Sequence, residues 1–183
     1  MRAKKNAEGS SFFAPANSDR MLVSGVRVKV LFLWIGGTRQ RQFKTLEDMY
    51  LERIDRLILC QRTVVAEERK SDARQVASGM AKEARRVLAR VNSGSHLICL
   101  DHRGKGLDSR DLANRLRKLE DLATREVALV VGGFMGIPSE VQAQARESWS
   151  LGPMTLPHEL ARLVLLEQTY RALTLIRGLP YHR

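Results

Sequence analysis

The chain has 183 residues, enough for one domain with a substantial core, and 44% of them are hydrophobic. A formal charge of +11 points to a polyanionic partner, with nucleic acid ahead of a membrane because no apolar run reaches the roughly 18 residues a span needs. Cys60 and Cys99 are too few for a disulfide framework, and with no CxxC pair or clustered histidines they exclude a zinc site; reduced thiols in a cytoplasmic protein are expected.

Met1 to Gly25 is rich in Ser, Ala, Asn and Lys and has no periodicity, so residues 1–25 are expected to be a disordered extension, either dispensable or a basic arm that touches RNA. Met21 is an alternative start. The apolar pieces around Phe12 and Phe13 are too short for the core of a signal peptide. Residues 26–183 then form a single domain.

Val26 to Ile35 (VRVKVLFLWI) alternates and then becomes continuously apolar, which predicts a strand buried on both faces and ended by Gly36 and Gly37. From Phe43 to Leu59 apolar residues recur at helical spacing, among them Leu46, Met49, Tyr50, Ile54 and Leu57. Thr63 to Ala66 is a short strand, and Asp72 can cap a helix reaching about Val91, with Lys82, Arg85, Arg86 and Arg90 at its polar positions. His96 to Asp101 is another apolar strand, expected to open into a loop over His102, Arg103, Gly104, Lys105 and Gly106. Ser109 starts a helix to about Ala123, with Leu112, Leu116 and Leu119 on one face. Glu126 to Val131 is a fully apolar strand running into Gly132, Gly133, Phe134, Met135 and Gly136. Pro138 opens a helix to about Arg146. A last short strand precedes the final helix. The alternation predicts an α/β domain with a mostly parallel sheet and helices on both faces.

The C-terminal stretch reads SWSLGPMTLPHELARLVLLEQTYRALTLIRGLPYHR. Pro153 and Pro157 disfavour helix, so Leu151 to Pro157 is expected to be an irregular loop with free backbone groups. Glu159 to Arg177 contains neither proline nor glycine, and the run Leu163 to Leu166 points apolar side chains all round a helix, which must then be covered on most sides. Gly178 and Pro180 stop it, leaving Tyr181, His182 and Arg183 as a tail expected to be held over some other group.

Three loops follow carboxyl ends of expected strands: the one after Leu100, the one at Gly132, and Leu151 to Leu156. Parallel sheets bind ligands at that edge. Gly132, Gly133 and Gly136 would admit a flat ligand to the main chain, or would only permit a tight turn. They are neither a phosphate-binding P-loop nor a GxGxxG fingerprint. His96 is read as structural, while His102 and His158 sit at the ligand edge and His182 in the tail.

The C-terminal stretch, together with the VVGGFMG and CLDHRGK loops, resembles the bacterial large-subunit ribosomal RNA pseudouridine N3-methyltransferases. These are small members of the SPOUT class, with an α/β trefoil-knot fold, and the resemblance covers about Val26 to Arg183. It implies a homodimer that binds S-adenosylmethionine in the knot and methylates N3 of a pseudouridine in the helix 69 loop of 23S rRNA, on the assembled ribosome. It further implies main-chain contacts to the cofactor at Leu100, at Gly132, and along Leu151, Gly152, Pro153, Met154, Thr155 and Leu156. No metal and no membrane are implied. Many relatives carry Pro-Glu where this chain has Phe134 and Met135, which removes an acidic side chain at that turn.

Deprotonating the imide N3 creates an anion delocalised onto two carbonyls, so cations and a proton acceptor are useful. Arg162 and Arg183 are assigned the cationic work, His158 and His182 orientation or proton transfer, and Tyr181 a place in the tail that closes the site from the partner subunit. For Arg162 the plain alternative is a solvated helix residue. Competing functions are a non-catalytic rRNA- or ribosome-binding protein on the same fold, and a methyltransferase for another RNA base.

Overall fold

The computed structural model describes residues 28–68 and 72–181. The expected N-terminal extension, Ser71, His182 and Arg183 lie outside them. Among the described residues the elements are β1 (Lys29–Ile35), α1 (Arg41–Asp55), β2 (Leu59–Val65), α2 (Ala73–Leu88), β3 (His96–Gly106), α3 (Ser109–Asp121), β4 (Glu126–Val131), α4 (Ser139–Gln144), β5 (Glu147–Ser150) and α5 (His158–Ile176). The five strands form one parallel sheet in the order β2-β1-β4-β3-β5.

The apolar runs produce this arrangement because each central strand is buried on both faces. In β1, Val30, Phe32 and Trp34 pack with Ile54 near the end of α1, with Leu112, Leu116 and Leu119 of α3 and with Leu165, Leu166 and Leu173 of α5. The alternate residues Leu31, Leu33 and Ile35 pack on the other face with Ala84 and Val87 of α2 and Val141 of α4. Phe32 and Trp34 are fully buried with ring centroids 5.7 Å apart. Burial of each such large apolar side chain stabilises the fold by about 2 kcal/mol relative to exposure. The α/β class with helices on both faces is the expected one.

Several expected boundaries differ. β2 begins at Leu59 rather than Thr63, taking the last residue assigned to the first helix, which ends at Asp55, because it pairs with β1 from Lys29↔Leu59 onward. α3 starts at Ser109 as expected but ends at Asp121, short of Ala123; Asp108 caps it, its carboxylate accepting from Arg110 N at 2.8 Å and Asp111 N at 2.7 Å, while Ser109 donates its hydroxyl to Gln168 of α5 at 2.6 Å. α4 stops at Gln144, two residues short of Arg146.

The largest correction concerns His102 to Gly106, which continue β3 instead of forming a loop. After an irregularity between Leu100 and Lys105 the pairing with β5 resumes, Lys105↔Trp149 and Gly106↔Ser150. Gly104 makes this crossing possible: a Cβ there would stand 2.7 Å from the backbone carbons of Ser148 and Trp149.

Candidate active site

The carboxyl ends of β3, β4 and β5 open onto a cleft of about 210 Å³. Leu100, Gly132, Leu151, Gly152, Met154, Thr155 and Leu156 line it, so the three segments located from the sequence converge, the first of them as a continuation of β3 and not as a loop. Pro153 lies outside the lining. His158, the first residue of α5, borders the same space with Asp101 and His102.

Close backbone approach decides the glycine pair. A Cβ at Gly132 would come within 2.5 Å of the Gly136 carbonyl carbon, so the turn closes only without one. Gly136 N donates to Gly133 O at 3.1 Å, which leaves Phe134 and Met135 at the tip. The Glu67 carboxylate, arriving from the end of β2, accepts from Phe134 N at 2.6 Å and sits over Gly133. These contacts support the tight-turn reading of the glycines, with the turn's main chain lining the cleft. The Leu151–Leu156 loop is pinned at its start, where Ser150 Oγ accepts from Gly152 N at 3.2 Å and donates to Gly152 O at 2.9 Å.

At the cleft wall Asp101 accepts from Arg103 N at 2.9 Å and Arg103 Nε at 3.1 Å. The Arg103 hydrogen bond is the main reason the Asp101 carboxyl titrates below its ordinary range. The acid is thus held as an anion beside an exposed guanidinium.

Arg162 is fully buried and does not line the cleft, against its reading as a solvated helix residue. Its Nη2 donates to Ile35 O at 2.7 Å and its Nη1 to Thr38 Oγ1 at 3.2 Å, with its guanidinium carbon 5.9 Å from the Trp34 ring centroid. Burial pushes its pKa down, opposed by Glu47, Glu159 and Glu67. Glu159 accepts from Arg39 N at 2.8 Å, and Glu47 accepts from Thr38 Oγ1 at 2.7 Å and Arg62 Nη1 at 3.1 Å. This network ties the loop after β1 to the first turn of α5, which carries His158. Nothing in the local sequence announced it, since its partners come from four separate segments.

Tyr181 docks at the other end of α5. Its ring meets Tyr170 edge-on at 4.7 Å, the Arg171 guanidinium lies 5.1 Å from its centroid, and its hydroxyl reaches Glu167 Oε1 at 3.3 Å and Tyr50 Oη at 3.4 Å. The structure therefore brings His158 to the cleft but not Arg162 or Tyr181. His182 and Arg183 lie outside the described residues.

The family described as "Predicted SPOUT methyltransferase" matches residues 28–182. The chain belongs to the SPOUT methyltransferase family. It is 41% identical over 160 residues to a protein of Ruegeria pomeroyi, covering 85% of this chain and 99% of the relative. Identity to a protein of Nitratidesulfovibrio vulgaris is 37% over 150 residues, covering 82% and 95%. For one of Sorangium cellulosum it is 36% over 147 residues, covering 80% and 94%. All three relatives bear the name "Ribosomal RNA large subunit methyltransferase H". The chain is thus a methyltransferase, which implies a methyl donor. The cleft lining fits such a donor: Gly132, Gly133 and Gly136 offer main chain, and Leu100, Leu151 and Leu156 add apolar walls.

Proposed function

We propose that the protein uses S-adenosylmethionine to methylate N3 of a pseudouridine in large-subunit ribosomal RNA, acting as a homodimer in the cytoplasm. The observation that carries this reading is the convergence of Leu100, Gly132 and the Leu151–Leu156 loop on one cleft beside His158, in a SPOUT chain of charge +11. The names of the relatives supply the substrate class. Among the described residues no helix is long and apolar enough to cross a membrane, and no group of three or more His, Cys, Asp or Glu is placed to hold a metal ion.

The bound cofactor supplies an electrophilic methyl group on a sulfonium. The protein's task is to hold the base in line and to take one proton. Main chain at Leu100, Gly132 and the Leu151–Leu156 loop holds the donor. His158, at the cleft edge, accepts the N3 proton or orients a water that does. Arg162 acts as a positioning residue, fixing the first turn of α5 through Ile35 and Thr38.

The homodimer is supported by the apolar run Leu163 to Leu166, which gives α5 apolar side chains all round and calls for more cover than one sheet face supplies. Tyr181 folds back onto Glu167, Tyr170 and Arg171, which puts the start of the tail roughly 14–20 Å along α5 from His158 at ~1.5 Å per residue. Three residues from Tyr181 span at most about 10 Å. In the proposed homodimer the tail serves the partner's cleft, bringing His182 and Arg183 to the developing anion.

The test is radiolabelled methyl transfer from S-adenosylmethionine to 70S ribosomes carrying pseudouridine, beside ribosomes lacking it. Label on the modified particle alone is expected. Cofactor binding without transfer to either would reject the substrate, and label on both would favour another base. Loss of cofactor binding as well would favour a non-catalytic ribosome-binding protein.

A further inference from the structure

The turn that lines the cleft with Gly132, Gly133 and Gly136 lifts Phe134 into solvent, where the residue is 79% exposed. Met154, from the other cleft-lining loop, is 77% exposed, and Met135 is 41% exposed. An exposed aromatic on a mobile loop would mean little. This one is held at both ends of its turn: its own N–H donates to Glu67 at 2.6 Å, and the turn closes through Gly136 N and Gly133 O at 3.1 Å. Gly132 and Gly136 are in backbone contact beneath it. The sequence thus fixes an apolar ring in water beside the cleft, which is unfavourable for the free protein unless something flat covers the ring in use.

We propose that Phe134 is a stacking platform for an unstacked RNA base at the mouth of the cleft, with Met154 extending the apolar surface from the facing loop. This rests on the rRNA methyltransferase reading given above. Methyl transfer to a ring nitrogen requires that the target base or its neighbour leave the RNA stack, and aromatic side chains hold such bases by their faces. Charge favours RNA over a protein partner. The β3 extension that passes the same cleft, beyond Asp101 and His102, carries the exposed Arg103 and Lys105, and the chain has a net charge of +11. Phe134 itself is not part of the cleft lining, so its work is separable from holding the cofactor.

The experiment compares wild type with F134A, F134L, F134Y and F134W in steady-state methyl transfer to ribosomes, with cofactor affinity by calorimetry and oligomeric state by light scattering. For F134A the KM for ribosomes should rise about tenfold, within the range for loss of one stacked base. Its kcat should stay within about twofold, with cofactor affinity and oligomeric state unchanged. F134L should behave as F134A, and F134Y and F134W as wild type. An unaltered KM in F134A overturns the proposal, and so does full activity in F134L, which would mean apolar contact without stacking. A dissociated F134A oligomer would assign the ring to a protein interface instead. If wild type transfers no methyl to any ribosome, the rRNA reading fails and this inference with it; wild-type turnover with unaltered F134A kinetics sinks the platform alone.

Discussion

At its N-terminal end α5 buries Arg162 completely, hydrogen-bonded to Ile35 and Thr38 and flanked by Glu47 and Glu159. At its C-terminal end the Arg171–Glu167 pair, at 2.7 Å, keeps 31% and 20% of its side-chain surface exposed beneath Tyr181. Both ends join charged groups to an aromatic ring, yet solvent reaches the guanidinium beside the ring only at the second. A sealed charge network tolerates a single geometry, because any displaced member is left as an unpaired buried charge. A half-exposed one exchanges its hydrogen bonds with water at little cost. The first suits a cleft that must be preformed, the second a tail that must dock and release.

The sharpest way to break this contrast is Arg162→Ala. It strands the Ile35 carbonyl and leaves Glu47 and Glu159 without their buried cation, so a loss of about 3–5 kcal/mol in urea unfolding is expected. A loss below about 1 kcal/mol would mean that the network relaxes as a surface pair does and that the two ends are alike. At the other end, removing Tyr181 to Arg183 should leave unfolding and cofactor binding nearly intact while methyl transfer falls by at least about a hundredfold, the scale for losing groups that act only in the transition state. Retained turnover would reject the tail's role, and lost cofactor binding would mean that the tail belongs to the cleft itself.

Between the two extremes of exposure stands Glu147 of β5, whose side chain is 23% exposed. Burial pushes its carboxyl up, but hydrogen bonds from Arg115 (Nε at 2.9 Å), Trp149 (Nε1 at 3.0 Å) and His96 prevail and hold it at about 2. Because the folded-state pKa lies below the unfolded value, this cluster stabilises the protein above pH ~4.5 and its contribution is lost as pH falls toward ~2. Glu147→Gln should therefore lower stability by about 2 kcal/mol at pH 7 and by progressively less below pH 4.5. Equal losses at pH 7 and at pH 3 would show that the carboxylate is held no better than one in water.

What the sequence disclosed follows the same division by range. β4 is legible in full, Glu126–Val131, because a strand buried on both faces writes its state into six consecutive residues. The cleft was legible as three strand-end loops, because a parallel sheet fixes where ligands bind. The extension of β3 was not: HRGKG has no apolar pattern, and its strand character depends on β5, more than forty residues later, and on Gly104 passing against the Ser148 and Trp149 backbone. Arg162 was placed near His158 by helical spacing, yet its burial depends on Ile35 and Thr38, 127 and 124 residues away. Tyr181 meets Tyr50 across 131 residues. Local pattern reveals elements; the partners of a long side chain are chosen by topology.

The smallest expected effect tests the looseness of the tail end. Tyr181→Phe keeps the ring against Tyr170 and Arg171 and removes only the hydroxyl shared by Glu167 and Tyr50, a loss of about 0.5–1 kcal/mol in docking. If docking and release of the tail are in balance, that shifts turnover by no more than about fivefold and leaves the unfolding midpoint nearly fixed. Burial, Tyr50 and Glu167 all push the phenol above its ordinary range, so the hydroxyl remains a proton donor to Glu167 up to alkaline pH. The ratio of wild-type to Tyr181→Phe turnover should accordingly be flat from about pH 7 to pH 10, near the ordinary tyrosine pKa. A ratio that collapses toward one within that window would mean that the phenol ionises early, and that water already reaches the tail more freely than its contacts imply.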